Sequence, residues 1–166
     1  MTILGIDPGL ATTGYGIIEI KSQMSNVPVK RDQMSLVDYG CIITEPRFEI
    51  AERLEKIYKE LKKIIKKYKP SRIAVEELFF AKNVKTAMKV GEARGVILLA
   101  CREAKIPIFE FTPLQVKLAI TGYGRASKSQ MQKMVKILLD LEEIPKSDDA
   151  ADALGVAICC MQTTQY

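Results

Sequence analysis

Ile3-Leu4-Gly5-Ile6-Asp7-Pro8-Gly9, followed closely by Thr13-Gly14-Tyr15-Gly16-Ile17-Ile18-Glu19-Ile20, decides the reading of the fold. The first run is apolar up to Ile6, ends on an acid and breaks at Pro8-Gly9, the pattern of a buried strand entering a turn. The second run stands near enough to pair with it as an antiparallel hairpin. A polar, partly basic connection from Lys21 to Gln33 leads to Ser35 through Thr44, a third strand. The chain therefore opens as a three-stranded meander.

Beyond the meander the apolar period lengthens. Ile50, Leu54, Ile57, Leu61, Ile64 and Ile65 recur at helical spacing as far as Pro70. Arg72 to Glu76 reads as a short strand and Asn83 to Glu103 as a long helix, with Val84, Met88, Val96, Leu99 and Ala100 as its apolar positions. Pro107 to Phe111 is a fifth strand. A short helix at Leu114 to Ala119 precedes the Gly122-Tyr123-Gly124-Arg125 loop, and helices from Ser127 to Leu141 and Asp148 to Met161 follow. This order predicts an α/β fold, a mixed five-stranded sheet flanked by α-helices, as one domain spanning 1–166.

Composition narrows the chemistry. With 166 residues, 48% hydrophobic and 27% charged, the chain is neither disordered nor large enough for two full domains. No apolar run approaches the ~20 residues that span a bilayer. The first residues lack a basic segment and reach an acid at Asp7, so no secretory signal is expected and a cytoplasmic location is. A net charge of +5 suits a polyanionic partner. The four cysteines, Cys41, Cys101, Cys159 and Cys160, sit in apolar segments without a Cys-x-x-Cys spacing and read as buried thiols. The chain has no histidine, which excludes histidine triads, histidine general bases and histidine-bound zinc.

Carboxylates remain. Asp7 and Glu76 each end an apolar strand, where an ionised group is costly unless paired, hydrogen-bonded or metal-bound. Asp149 and Asp152 stand three apart at the start of the last helix and can face one way. Each also has a plain structural reading: Asp7 as a turn cap, Glu76 as a strand end emerging into water, and Asp149 with Asp152 as a capping pair. Together the four can converge on one sheet edge. Hard divalent cations take oxygen ligands, and two such ions ~4 Å apart can hydrolyse a phosphodiester. Lys117, Arg125 and Lys128 surround a glycine-rich loop able to approach a phosphate. The lysine run from Lys56 to Lys69 lies mostly off the apolar stripe of its helix and reads as a solvated face.

The ordered set Ile6-Asp7-Pro8-Gly9, Thr13-Gly14-Tyr15-Gly16, Ala74-Val75-Glu76-Glu77-Leu78-Phe79-Phe80-Ala81-Lys82-Asn83, Gly91-Glu92-Ala93-Arg94-Gly95-Val96, Lys128-Ser129-Gln130-Met131 and Asp149-Ala150-Ala151-Asp152-Ala153-Leu154-Gly155 resembles the RuvC family of Holliday junction resolvases, which have the ribonuclease H-like fold. The resemblance runs from Met1 to about Met161. It implies a homodimeric, magnesium-dependent endonuclease, manganese able to substitute and two ions per active site, that nicks four-way DNA junctions symmetrically in recombination and repair and leaves 5′-phosphate and 3′-hydroxyl ends. It implies Asp7, Glu76, Asp149 and Asp152 as catalytic metal ligands, Lys117 and Lys128 near the scissile phosphate, and Phe79 against junction bases. Lys82 and Asn83, in the same motif as Phe79, and Arg125 are further candidates for DNA contact. The implied partners are the RuvA and RuvB branch-migration proteins, and the helix holding Gly91 and Gly95, beside Met88 and Leu99, would form the dimer contact. A nuclease of the same fold that processes ribosomal RNA precursors and a non-catalytic junction-binding protein are the rival readings. The Lys21 to Gln33 connection is longer than the family leads one to expect.

Overall fold

The computed structural model describes residues 1–21, 34–77 and 84–163. In chain order the elements are β1 (Thr2–Asp7), β2 (Thr12–Ile20), β3 (Met34–Ile43), α1 (Ile50–Tyr68), β4 (Arg72–Glu76), α2 (Val84–Glu103), β5 (Ile108–Phe111), α3 (Pro113–Thr121), α4 (Lys128–Leu138) and α5 (Asp148–Thr163). The strands form a single sheet in the order β3-β2-β1-β4-β5. β1, β2 and β3 pair antiparallel, and β4 and β5 add in parallel. The expected meander and mixed five-stranded sheet are both present. The Lys21 to Gln33 connection lies outside the described residues except for Lys21.

Both sheet faces are covered, which explains why the central strands are nearly continuously apolar. Alternation along the strands sorts the residues. Leu4, Ile6, Ile17, Ile73 and Val75 pack with Ile57, Leu61 and Ile65 of α1 and Ala93, Ile97 and Cys101 of α2. Ile3, Ile18 and Ala74 point the other way, into a core shared with α3, α4 and α5. α1 carries its lysines outward, as expected: Lys59, Lys62 and Lys63 pair with Glu55, Glu103 and Glu60 on the exposed face.

Met88 and Leu99, apolar positions of α2 that the sequence left open between packing on the sheet and a contact with a second copy, are 64% and 55% exposed. The stripe that meets the sheet is Ala93, Ile97, Ala100 and Cys101, which is too short-chained to dominate the hydrophobic pattern. α4 ends at Leu138 instead of Leu141, because the chain turns through Asp140 at φ 51°.

α5 is the central helix. Ala150, Ala151 and residues 153–161 are buried, and only Asp152 interrupts the run, so the helix is apolar nearly all round. It lies directly on β1 and β2 because Gly5, Gly14 and Gly16 put no side chain beneath it at the points of contact. A Cβ on Gly5 would overlap the Ala153 carbonyl oxygen, and one on Gly14 would overlap the Asp149 carbonyl oxygen. We therefore expect Gly14→Ala to lift the start of α5 off the sheet. Its thermal midpoint should fall by several degrees, reflecting a loss of about 1–3 kcal/mol from overpacking; an unchanged midpoint would contradict the contact.

Candidate active site

The site is built from strand ends and one helix start. β1 and β4 run parallel with Ile6 opposite Val75, so the next residues, Asp7 and Glu76, end adjacent strands at the same rim. Gly5 and Ala74 face α5, and by alternation Asp7 and Glu76 face it too. Their carboxyl groups are in hydrogen-bond contact. Asp149 and Asp152 descend on the same rim from the first two turns of α5, and their charges are felt at Asp7.

The capping reading of Asp149 and Asp152 gives way to another residue. Ser147 Oγ accepts the Ala150 amide at 3.5 Å, and the Ser147 carbonyl accepts the Ala151 amide at 3.0 Å. Cys41 Sγ lies 2.9 Å from Ser147 Oγ. Cys41 is thus only half-buried, unlike Cys101, Cys159 and Cys160, which are buried as expected.

Burial is the main force on the acids. Asp7 is pushed up to about 9, by desolvation first and then by the charges of Glu76 and Asp152. Glu76 is pushed up to about 7 by desolvation, which the hydrogen bond from Asp7 and the charges of Lys117 and Lys128 only partly offset. Asp152 is also raised by desolvation, against the pull of Lys128. The Asp7–Glu76 pair therefore shares a proton at neutral pH. Among the described residues, no three acidic or thiol side chains stand close enough to enclose a metal ion in this arrangement.

The cations come from two helices, each started by a capping box. Thr112 and Gln115 begin α3, which carries Lys117; Ser127 and Gln130 begin α4, whose first residue is Lys128. A lysine at a helix N-terminus opposes the helix dipole. Acids in the neighbouring helix compensate: Lys128 Nζ is 3.2 Å from Asp148 Oδ2 and 3.4 Å from Asp152 Oδ2. Burial alone would lower the Lys128 ammonium, yet Asp152 and Asp148 outweigh it and hold it above the usual lysine value. Asp148 was absent from the sequence candidates; in the run Asp148-Asp149 nothing distinguishes the residue that turns outward. Arg125 is exposed on the loop after Gly122. Phe79, Lys82 and Asn83 lie outside the described residues.

A β3-β2-β1-β4-β5 sheet with acids at one rim and a buried helix across it defines a ribonuclease H-like nuclease. The model of the family described as crossover junction endodeoxyribonuclease RuvC matches residues 3–160. A crossover junction endodeoxyribonuclease RuvC from Halothermothrix orenii is 55% identical over 159 residues, covering 96% of this chain and 91% of that one. The structure of Thermus thermophilus RuvC superposes with a TM-score of 0.84 at 33% identity, covering 96% of this chain and 92% of that one. T. thermophilus RuvC in complex with Holliday junction substrate gives 0.88 at 32% identity, covering 99% and 95%. The chain belongs to the RuvC family of crossover junction endodeoxyribonucleases.

The raised acids set a pH dependence. A carboxyl whose folded value lies above its unfolded one favours the folded state at low pH, and that contribution is lost as pH rises through the folded value. For Asp7 the window runs from 3.8 to about 9. In chelator, the melting temperature should fall as pH is raised from 5 to 9, and Asp7→Asn should flatten the decline. Because a cation must displace the shared proton, a divalent ion should stabilise the protein more at pH 8 than at pH 6. Melting curves that show the same slope for parent and Asp7→Asn would contradict the assignment of the buried charge.

Proposed function

We propose that the chain resolves four-way DNA junctions in recombination and repair. It cuts two strands of like polarity at symmetric positions and leaves 5′-phosphate and 3′-hydroxyl ends. The reading rests above all on the meeting of Asp7, Glu76 and the α5 acids at one rim, beside Lys117 and Lys128, in a chain of the junction-endonuclease family. The junction-bound T. thermophilus relative supports the choice of substrate.

Asp7, Glu76, Asp149 and Asp152 would hold hard divalent cations, magnesium or manganese, two per site. The donor set fits: it is all oxygen, the sequence has no histidine, and burial and the other three acids all raise Asp7. Bound there, such ions activate water and stabilise the leaving oxygen. The chain's own residues prepare the reaction. Asp7 and Glu76 surrender their shared proton. Lys117 and Lys128, close enough to affect Glu76, take the non-bridging oxygens of the scissile phosphate, and Lys128 exchanges Asp152 for that anion. Phe79 stacks on a base at the crossover, and Lys82, Asn83 and Arg125 hold the backbone nearby.

The chain works as one nuclease domain and as a homodimer, since two symmetric nicks require two sites. The outer strip of α2 supports that pairing: among the described residues a Cβ on Gly91 or Gly95 would meet nothing within 4 Å, and Met88 and Leu99 are exposed beside them. Among the described residues no helix is long and apolar enough to cross a membrane. We place the enzyme in the cytoplasm with RuvA and RuvB as partners, in keeping with its family.

A four-way junction, plain duplex, RNA–DNA hybrid and structured RNA, offered side by side with magnesium, test the reading. We expect paired nicks in the junction alone, and preferential cutting of structured RNA would reject it. Asp7→Asn should slow nicking by at least about a thousandfold, several kcal/mol of lost transition-state stabilisation, while gel-shift affinity for the junction is retained. Gly95→Glu should weaken dimerisation in sedimentation and convert double nicks into single ones. A monomer on saturating junction would count against the dimer alone.

A further inference from the structure

Lys117 and Lys128 stand on the α5 side of the sheet. On the opposite side of the same rim, where α1 and α2 pack, lies a cavity of about 360 Å³ lined by the 9–12 turn, Arg53, Lys89 and Asp149. Asp149 joins this cavity to the acid cluster.

Arg53 is held in place. Its Nε donates to Thr44 Oγ1 at 2.8 Å, and the buried Thr44 hydroxyl donates in turn to the Leu10 carbonyl. One of its five donors is thereby used, and among the described residues the two terminal nitrogens of the fork stay available. Among the described residues no carboxylate pairs with Arg53 or Lys89, although Arg47, Lys59, Lys62, Lys63 and Arg94 all find one. The turn presents little that would repel an anion. Its carbonyls at Gly9, Leu10 and Ala11 accept from Thr13 Oγ1, Thr44 Oγ1 and the Thr44 amide. Gly9 permits the turn, because a Cβ there would overlap the Thr12 carbonyl oxygen.

A cluster of four acids repels the strand it must cut, and cations on one flank hold that strand on one side only. We infer that this cavity holds a backbone phosphate of the bound strand, next to the scissile one, with Arg53 as its positioning residue and Lys89 as a second cation. The inference rests on the junction-cleaving function proposed above. A guanidinium fork fixed through its Nε suits a phosphate, which it can grip with two parallel hydrogen bonds. The strand is then gripped on both flanks of the acids.

Binding of a fluorescent four-way junction, measured in chelator across a salt series, tests this for the parent, Arg53→Gln, Arg53→Lys and Lys89→Gln. Each neutralised phosphate contact contributes about −0.9 to the slope of log K against log salt. We expect Arg53→Gln and Lys89→Gln each to make the slope shallower by about 0.9 and to weaken binding roughly three- to tenfold at low salt. Arg53→Lys should restore the slope. An Arg53 that only braces Thr44 would give an Arg53→Gln protein with a lower melting temperature and the parental slope, which would overturn the inference. If Arg53→Gln does not fold, an unchanged slope for Lys89→Gln overturns it equally. A parent that ignores the junction defeats the functional reading and this one together, whereas a parent that binds beside variants of unchanged slope defeats this one alone.

Discussion

The rest of the structure depends on the contact between the backbone of α5 and the floor of the sheet. Gly5 and Gly14 bring the helix so near that the Ala153 and Asp149 carbonyls occupy the space a methyl group would need. Ala150, Ala153 and Ala157 keep the helix side of the contact equally thin. The close approach sets the height at which Asp149 and Asp152 meet Asp7 and Glu76. In most cores a methylene too many is absorbed by neighbouring side chains. Here the obstacle is backbone, and the helix would have to move with its acids.

The site is assembled against its own electrostatics. Desolvation and mutual repulsion raise Asp7, Glu76 and Asp152, and Lys128 begins α4 where the helix dipole disfavours it. Locally unfavourable choices of this kind gather where a ligand of opposite charge is to arrive. Around them the molecule follows the ordinary rules. Capping boxes start α3 and α4, and α1 spreads its lysines among glutamates. The discomfort is confined to one rim, so the remaining fold can support it.

Much of this was legible in the residues. Strands and helices followed from changes of period, and all five strands lie where alternation and breakers put them. Asp7 and Glu76 were visible because each ends an apolar strand, and Asp149 with Asp152 because their spacing puts them on one side of a helix start; the structure brings all four to one rim. What stayed hidden was mostly contact chemistry. Asp148 and Asp149 are the same residue type in adjacent positions, and only helix rotation decides that Asp148 takes Lys128 while Asp149 faces the rim. The face of α2 that meets the sheet was hidden too, because it is built from Ala93, Ile97 and Ala100 while the larger Met88 and Leu99 stay exposed. Arg53 gave no signal at all, being one more basic residue in a basic helix until Thr44 fixes its direction.

The order of the elements along the chain also bears on synthesis. Asp7 is made before Glu76, and Asp149 with Asp152 only after both. α5, which carries the last two acids, is also the helix around which one of the two cores forms. A nascent chain on the ribosome can close its hairpin and begin α1 while the four acids are still apart. Closure of that core and the meeting of all four acids at one rim therefore wait on the same helix.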